Sequence, residues 1–324
     1  MSLKRFTRGT GGFISLVLVS LLGMMLQVAQ AQGHASSVPM KLIQVSPHAY
    51  YVEGVSALGS PFNRNFISNA GVIVAPDGVI VVDALGSPAL AQELIGLVRS
   101  VTDQPIKYVI VTHYHADHIY GLQTFTDLGA TVIAHAKAKE YLGSDTAKLR
   151  LDASRQELAP WVNEQTRLVP AQQWVEEDVR LTLAGMPLEI LKMGPAHTAD
   201  DIAVFVPSDG VLFAGDLVFR GRIPYVGNAD SLGWIRSLDL LINTNAKVIV
   251  PGHGPVSSQP LEDLRFTRDY LVFLREVMGP PARELDSFDD AYAKVDWSRY
   301  EQVPLFKAAN RMNAYNVYLS IQSE

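Results

Sequence analysis

An α/β fold is what this sequence predicts, on three observations. Short apolar runs rich in β-branched residues, such as Ile106–Thr112 and Val79–Asp83, have strand composition and stop at polar loops. Other segments, such as Ser87–Ser100, repeat their apolar residues at helical spacing. The segments arrive as two runs of strands, each followed by helices. With 324 residues, 48% of them apolar, the chain is long enough to fill one large α/β unit with a sizeable core.

The N-terminus stands apart. Lys4, Arg5 and Arg8 precede an apolar run, Phe13 to Leu26, and the small-residue signature Ala29-Gln30-Ala31 follows. The run is shorter than the roughly 20 residues a bilayer span needs. Residues 1–31 therefore read as a signal peptide cleaved after Ala31, and the product as a periplasmic or secreted protein with no stable membrane span after processing. Removing those three basic residues from 27 leaves 24 against 33 acidic ones, a formal −9. No Lys/Arg-rich run occurs elsewhere, so a nucleic-acid partner is disfavoured and a small-molecule substrate is expected. The absence of Cys excludes thiol nucleophiles and thiolate metal ligands.

From Met40 onward strands follow one another. Lys41–Ser46 and Ala49–Glu53 form a first hairpin, and Ala70–Ala75 and Val79–Asp83 a second. Between the latter pair, Pro76-Asp77-Gly78 supplies a fixed φ and a residue free to adopt positive φ. Ser87-Pro88 opens a helix with Leu90, Leu94, Leu97, Val98 and Val101 on one face. After Ile106–Thr112 a short helix is expected from Ile119, then a strand, Thr131–Ala134, and helices at Ala136–Leu142 and Thr146–Leu158. Val179–Leu183 and Leu188–Met193 are strands around Gly185-Met186-Pro187, followed by Ile202–Val206 and Val211–Ala214. Ser231–Ile242 is a helix with Leu232, Ile235, Leu238 and Ile242 inward, and Lys247–Val250 a strand. Beyond Pro260 the chain is helical. Phe266, Tyr270, Phe273 and Val277 share a face up to Gly279-Pro280-Pro281, and Pro304 starts the last helix. This tail is expected to pack on the sandwich rather than form a second domain.

Chemistry concentrates at Thr112-His113-Tyr114-His115-Ala116-Asp117-His118, where a buried strand ends and three of the eight histidines fall. Neutral imidazoles and carboxylates are ligands for zinc and its neighbours. In an extended turn, His113 and His115 can face one ion, and Asp117 and His118 a second beside it. No His-Glu-x-x-His occurs, which excludes a helical zinc-protease site. His197, after an apolar strand, is the third ligand that His113 and His115 need. Asp216 follows Gly215 at another strand end, and His253 lies in the constrained Pro251-Gly252-His253-Gly254-Pro255. Asp83, closing its strand, is placed to orient a metal-bound His from behind. His34, His48 and His135 read as non-ligands. Arg220 and Arg222, close after Asp216, are a clamp for an anionic group of the substrate.

The set His-x-His-x-Asp-His, His197, Gly-Asp216 and Pro-Gly-His253-Gly resembles the metallo-β-lactamase-fold hydrolase superfamily, over roughly Val38 to Pro260, with Asp83 matching its first motif. The resemblance implies a four-layer αββα sandwich spanning residues 38–260, with 261–324 as a C-terminal helical extension. It implies two Zn²⁺ per chain, His113, His115 and His197 on one, Asp117, His118 and His253 on the other, and Asp216 bridging. A bridging carboxylate is closer to the glyoxalase II, lactonase and esterase-like branches than to the true β-lactamases. The stretch Gly215–Gly227 and the tail Leu305–Glu324 are similar to the exported SoxH-like proteins, or quinoprotein relay system zinc metallohydrolases. The implied activity is hydrolysis of an ester, thioester, lactone or β-lactam by a metal-bridging hydroxide, with Asp117 as catalytic proton shuttle. The alternative is a non-catalytic or iron-dependent accessory protein of an exported quinoprotein or sulfur-oxidation system.

Overall fold

In a computed structural model, residues 38–257 and 259–324 are described. The expected signal peptide, residues 1–31, and His34 lie outside them. Twelve strands form two sheets among the described residues. The first holds β1 (Ile43–Gln44), β2 (Ala49–Val52), β3 (Ala70–Ala75), β4 (Gly78–Val82), β5 (Ile106–Ile110), β6 (Thr131–His135) and β7 (Gln173–Val175), in that spatial order. Its first four strands pair antiparallel, and β4 through β7 pair parallel. The second has the order β12-β11-β10-β9-β8, built from β8 (Val179–Leu183), β9 (Met186–Lys192), β10 (Ile202–Val206), β11 (Val211–Phe219) and β12 (Val248–His253). Only β11 and β12 are parallel in that sheet.

Period-two alternation sorts the apolar residues into layers. Ile73, Ile80, Val82 and Ile110 of the first sheet meet Ile190, Ile202, Val204, Phe213 and Val250 of the second in one buried cluster. Their neighbours Val72, Val79, Val81 and Val109 face the other way, against α1 (Pro88–Arg99), α2 (Ala116–Ile119), α3 (Leu122–Thr126), α4 (Ala138–Leu142) and α5 (Asp145–Glu157). Ala203, Leu212, Ala214 and Ile249 face outward from the second sheet against α6 (Ser231–Ile242), α7 (Pro260–Glu284), α8 (Phe288–Ala293) and α9 (Phe306–Gln322). Strands buried on both faces explain why their sequences read as continuous apolar runs. The layers are α, β, β, α, as the resemblance implies.

Several boundaries differ from the sequence reading, each for a physical reason. Asp117 and His118 belong to the short helix α2, which starts three residues before Ile119, so they sit on a helical turn rather than an extended one. Strand β11 does not stop at Ala214: pairing with β12 carries it through Gly215 and Asp216 to Phe219, with register shifts on both sides of Gly215. Likewise β12 includes Pro251, Gly252 and His253. The turn between β8 and β9 is Ala184-Gly185, and Met186 and Pro187 are already paired. Val101 lies beyond α1 and is 44% exposed; Ala91 and Ile95 complete the buried face instead. On α6 Trp234, Ser237, Leu238 and Leu241 are buried and Ile235 and Ile242 pack against the same core, as expected, while Leu232 is 41% exposed. Trp234 sets that rotation by donating its Nε1–H to Leu217 O at 3.0 Å. Helix α7 runs through Pro280 and Pro281 to Glu284, because Met278 and Ala282 on either side are buried against the second sheet's core and offset the lost backbone bonds. Last, α9 starts at Phe306, since Leu305 takes φ +65°.

A polar clasp joins the two sheets where the turn after β10 meets the turn before β2. Asp209 accepts from Ser46 Oγ, His48 N and Ser208 Oγ, with His48 Nδ1 at 2.9 Å. Burial resists its charge, but the Ser46 and His48 donors outweigh that and hold its carboxyl at about 2. A depressed carboxyl stabilises the fold above its unfolded value near ~3.9 and loses that contribution as pH falls toward the folded value. Asp209→Ala should therefore cost about 2–3 kcal/mol in urea unfolding at neutral pH, with the difference from wild type shrinking between about pH 4 and 2.

Candidate metal centre

The candidate ligand side chains come from both halves of the chain and meet at one edge of the sandwich. His113 and His115 follow β5, His118 and Asp117 ride on α2, His197 follows β9, Asp216 projects from β11 and His253 ends β12. Ligand atoms of His113, His115, His197 and Asp216 lie within 4.8 Å of one another, as do those of Asp117, His118 and His253. Asp216 touches both groups. Its Oδ1 is 3.2 Å from His118 Nε2, and its Oδ2 is 3.2 Å from His253 Nε2, 3.4 Å from His197 Nε2 and 3.8 Å from His113 Nε2. Asp117 Oδ2 lies 3.4 Å from His253 Nε2 and 3.6 Å from His118 Nε2.

Local backbone makes this convergence sterically feasible. Gly215 has φ +51°, and a Cβ there would fall 2.5 Å from Thr112 Oγ1. A Cβ on Gly252 would fall 2.0 Å from Asp216 Oδ1. Strand ends can approach this closely only where those side chains are absent.

Outer hydrogen bonds fix which ring nitrogen faces inward. Asp83, at φ +63°, accepts from Thr112 N and Oγ1 at 2.8 Å each and from His118 Nδ1 at 2.9 Å. The structure thus brings Asp83 against His118, the contact that the expected orienting role requires. His253 Nδ1 donates to Ile67 O at 2.6 Å, and His113 Nδ1 lies 3.1 Å from Thr112 Oγ1. His113, His118 and His253 thus turn Nε2 inward.

The charges suit a cation. Burial, reinforced by the neighbouring His118, pushes His113 well below the usual imidazole range; burial also lowers His115 and takes His197 down to about 3. These rings are neutral at pH 7, the form that binds metal. Burial likewise opposes charge on His118, but Asp216, Asp117 and Asp83 outweigh it and raise that ring well above its usual range. Burial resists the Asp216 charge too, yet His253 and His118 hold it well below the usual carboxylate range. His113 Nε2, His118 Nε2 and Asp216 Oδ1 are buried without hydrogen-bond partners among the described residues. Inward, orphaned donors of this kind fit a metal ion, and their two groups fit two.

Residues 63–253 match the family described as the metallo-beta-lactamase superfamily. The chain belongs to the metallo-β-lactamase superfamily. It is similar to the linear primary-alkylsulfatase of Pseudomonas sp. (strain ATCC 19151), 28% identical over an alignment of 244 residues that covers 63% of this chain and 45% of that protein. It is also similar to metallo-beta-lactamase type 2 of Bacillus cereus, 29% identical over 199 residues, 60% of this chain and 70% of that one. Among solved structures, the sec-alkylsulfatase Pisa1 from Pseudomonas sp. aligns with a TM-score of 0.70 at 18% identity, covering 87% of this chain and 50% of that one. The metallo-beta-lactamase from Pontibacter korlensis aligns with a TM-score of 0.58 at 21% identity, covering 72% and 99%. These two structures share the fold. The chain spans about half the length of the alkylsulfatases it matches.

Among the described residues, the other two histidines, His48 and His135, stand off the site. His135 is buried, with Nε2 3.2 Å from Glu176 O and Nδ1 accepting from Lys137 N. His48 is engaged with Asp209. The two arginines part company: Arg220 Nε donates to Asp263 at 2.9 Å and its Nη1 to Val256 O, whereas Arg222 is buried with an unpartnered Nη1. The segment Ile67–Asn69 was not legible as functional. Besides the Ile67 carbonyl on His253, Ser68 Oγ donates to Asp117 O. Asn69 Nδ2 donates to Pro251 O and Gly254 O at 2.8 Å each, pinning the β12 end. Tyr225, 41% exposed, stands at the mouth with its ring 6.4 Å from His115 and 6.3 Å from His197. A Ser-Asn pair before a strand gave no signal, because its partners are over 180 residues away for Asn69. Asp83→Ala should lower metal affinity about 10–100-fold, since His118 loses the partner that orients it; competition with a fluorescent chelator measures this.

Proposed function

We propose that this chain is an exported, metal-dependent hydrolase that holds two zinc ions and cleaves an ester-like bond of a small molecule. One observation carries the reading: Asp216 lies between two separate donor groups, His113/His115/His197 and Asp117/His118/His253, each of a size for one ion. Metal ions held there would supply Lewis acidity toward a carbonyl or sulfuryl oxygen and would acidify a coordinated water toward ~7. The protein's own residues do the rest. The two His groups fix the spacing, Asp83, Thr112 and Ile67 hold the rings in one orientation, and Asp216 supplies negative charge to both sides. Asp117 has a side chain 17% exposed against 4% for Asp216, so it is the carboxylate placed to pass a proton outward.

The substrate class is a carboxylic ester, thioester, lactone or β-lactam on the motif reading. A sulfate ester is the second reading, favoured by the likeness to alkylsulfatases. The SoxH-like resemblance supports a place beside an exported quinoprotein or sulfur-oxidation system. The retention of every ligand position favours turnover over a binding-only accessory role.

Elemental analysis of purified protein should find about two zinc ions per chain; one iron without zinc would instead support the iron-dependent alternative. Asp216→Ala should lose most bound zinc, more than the ~10–100-fold loss of affinity assigned to supporting residues, while His135→Ala keeps near-normal content. Equal zinc content in the two variants would remove Asp216 from its bridging role. For export, N-terminal sequencing of the exported protein should begin at Gln32; an intact Met1–Leu26 in the membrane fraction would make that segment an anchor.

A further inference from the structure

The two donor groups are held in place by different means. In the second group, His118 and His253 are tied through their outer nitrogens to Asp83 and Ile67. The main chain of α2 has anchors of its own, Ser68 Oγ on Asp117 O and Ala84 N on His118 O. In the first group His113 keeps an outer contact with Thr112 Oγ1, but His197 Nδ1 is buried without a partner among the described residues. His115 turns its Nδ1 toward the group, 3.0 Å from His197 Nε2. The placing of these two rings therefore falls to the backbone that carries them.

Two carboxylates outside both donor groups act on that backbone. Asp200 and Asp201 are 6% and 2% exposed. A carboxylate removed from water is costly unless donors meet it, and here the donors are the ligand loops themselves. Asp201 Oδ2 accepts from Thr198 N at 2.6 Å and its Oδ1 from Thr198 Oγ1 at 2.9 Å. Thr198 directly follows His197. Asp201 O accepts from Met193 N and Gly194 N at 2.9 Å each, so Asp201 closes the His197 loop on itself. Asp200 reaches across to the other sheet's loop. Its Oδ2 accepts at 3.0 Å from the N–H of Tyr114, the residue between His113 and His115. Ile202 N donates to Thr112 O at 2.9 Å beside it. Of these two bonds between the loops, only the one from Asp200 is made by a side chain, so it can be removed with the main chain left intact.

We propose, resting on the two-metal reading but on no particular substrate, that Asp200 is a positioning residue for the first metal group alone. By holding Tyr114 N it sets His113 and His115 against His197, across the gap between the sheets. Asp117, His118 and His253 do not depend on it, because Ser68, Ala84, Asp83 and Ile67 hold them separately. An acceptor oxygen is what the role requires. Asparagine keeps one, at the lower strength of an uncharged acceptor, whereas alanine and leucine have none.

The test measures zinc affinity of the full chain by competition with a chromophoric chelator, in two backgrounds that each leave one donor group whole. His253→Ala keeps the first group and His197→Ala keeps the second. In the His253→Ala background, Asp200→Ala should weaken zinc binding about 10–100-fold, the scale for a residue that supports a ligand, and Asp200→Asn should bring it back to within about threefold. In the His197→Ala background, Asp200→Ala should change zinc affinity by less than about twofold. Asp200→Leu, branched like aspartate but without an acceptor, should match Asp200→Ala, and it replaces that variant if the space left by alanine unfolds the chain. Equal losses in both backgrounds would make Asp200 a general support of the fold and overturn the proposal. Unchanged affinity in the His253→Ala background would overturn it too, as would a folded Asp200→Asn as weak as Asp200→Ala. A wild-type chain that binds no zinc would bring down the two-metal reading and this role with it. Zinc binding with an Asp200 effect blind to background would bring down this role alone.

Discussion

The structure depends on a single buried carboxylate. Asp216 sits 4% exposed, with four imidazole nitrogens between 3.2 and 3.8 Å from its oxygens. A carboxylate removed from water has to be met by positive charge. Everything around it follows from that demand. The rings that meet it must be fixed, because an imidazole that rotates presents the wrong nitrogen. The outer nitrogens of His118, His113 and His253 are tied to Asp83, Thr112 and Ile67 in turn, while His197 Nδ1 is buried without a partner among the described residues. The strands that carry them must come close, so glycine stands at 215 and 252, where a Cβ would meet Thr112 or Asp216 itself.

The sandwich supplies the rigidity. Each sheet is covered on its outer face by helices and on its inner face by the other sheet, so the strand ends are held from all sides. The first sheet brings His113, His115 and the α2 pair; the second brings His197, Asp216 and His253. Neither half can assemble the site alone. The hydrogen bonds from Asn69 to Pro251 and Gly254 close the gap between them, and the Asp209 clasp joins the sheets through the β1–β2 and β10–β11 turns. Direct backbone and side-chain ties of this kind restrict relative sliding of the two sheets, and with it the spread of ligand distances.

The helical extension has a related role. Its α9 residues Ala314, Val317 and Ile321 join the outer core of the second sheet. Asn313, fully buried, reaches back to Pro224 and Val226 and also to Tyr270 of α7. The loop that follows the bridging carboxylate is thereby anchored from behind. Residues far along the chain thus hold Pro224 and Val226, on either side of Tyr225, whose ring faces His115 and His197.

Much of this was readable in the sequence. Apolar alternation marked the strands, and the clustering of histidine and aspartate at strand ends marked the ligands, since few side chains bind metal and these occur together. Asp83 was legible for the same reason, as a carboxylate closing an apolar strand. Boundaries were less legible: Asp216 lies within β11 rather than past its end, because pairing with β12 extends the strand across the Gly215 irregularity. The Ile67–Asn69 clamp was invisible, since a serine, an asparagine and a carbonyl acquire meaning only from what they face. The separation of Arg220 from Arg222 was equally hidden. Two arginines one residue apart have the same composition, but Asp263, from a helix 43 positions later, pairs with the first and leaves the second buried and unmatched. Residue type and local periodicity therefore determined the fold class and singled out the candidate ligands. Orientation, partner choice and the charge left unmet were decided by tertiary structure, because each depends on groups distant in sequence meeting at close range.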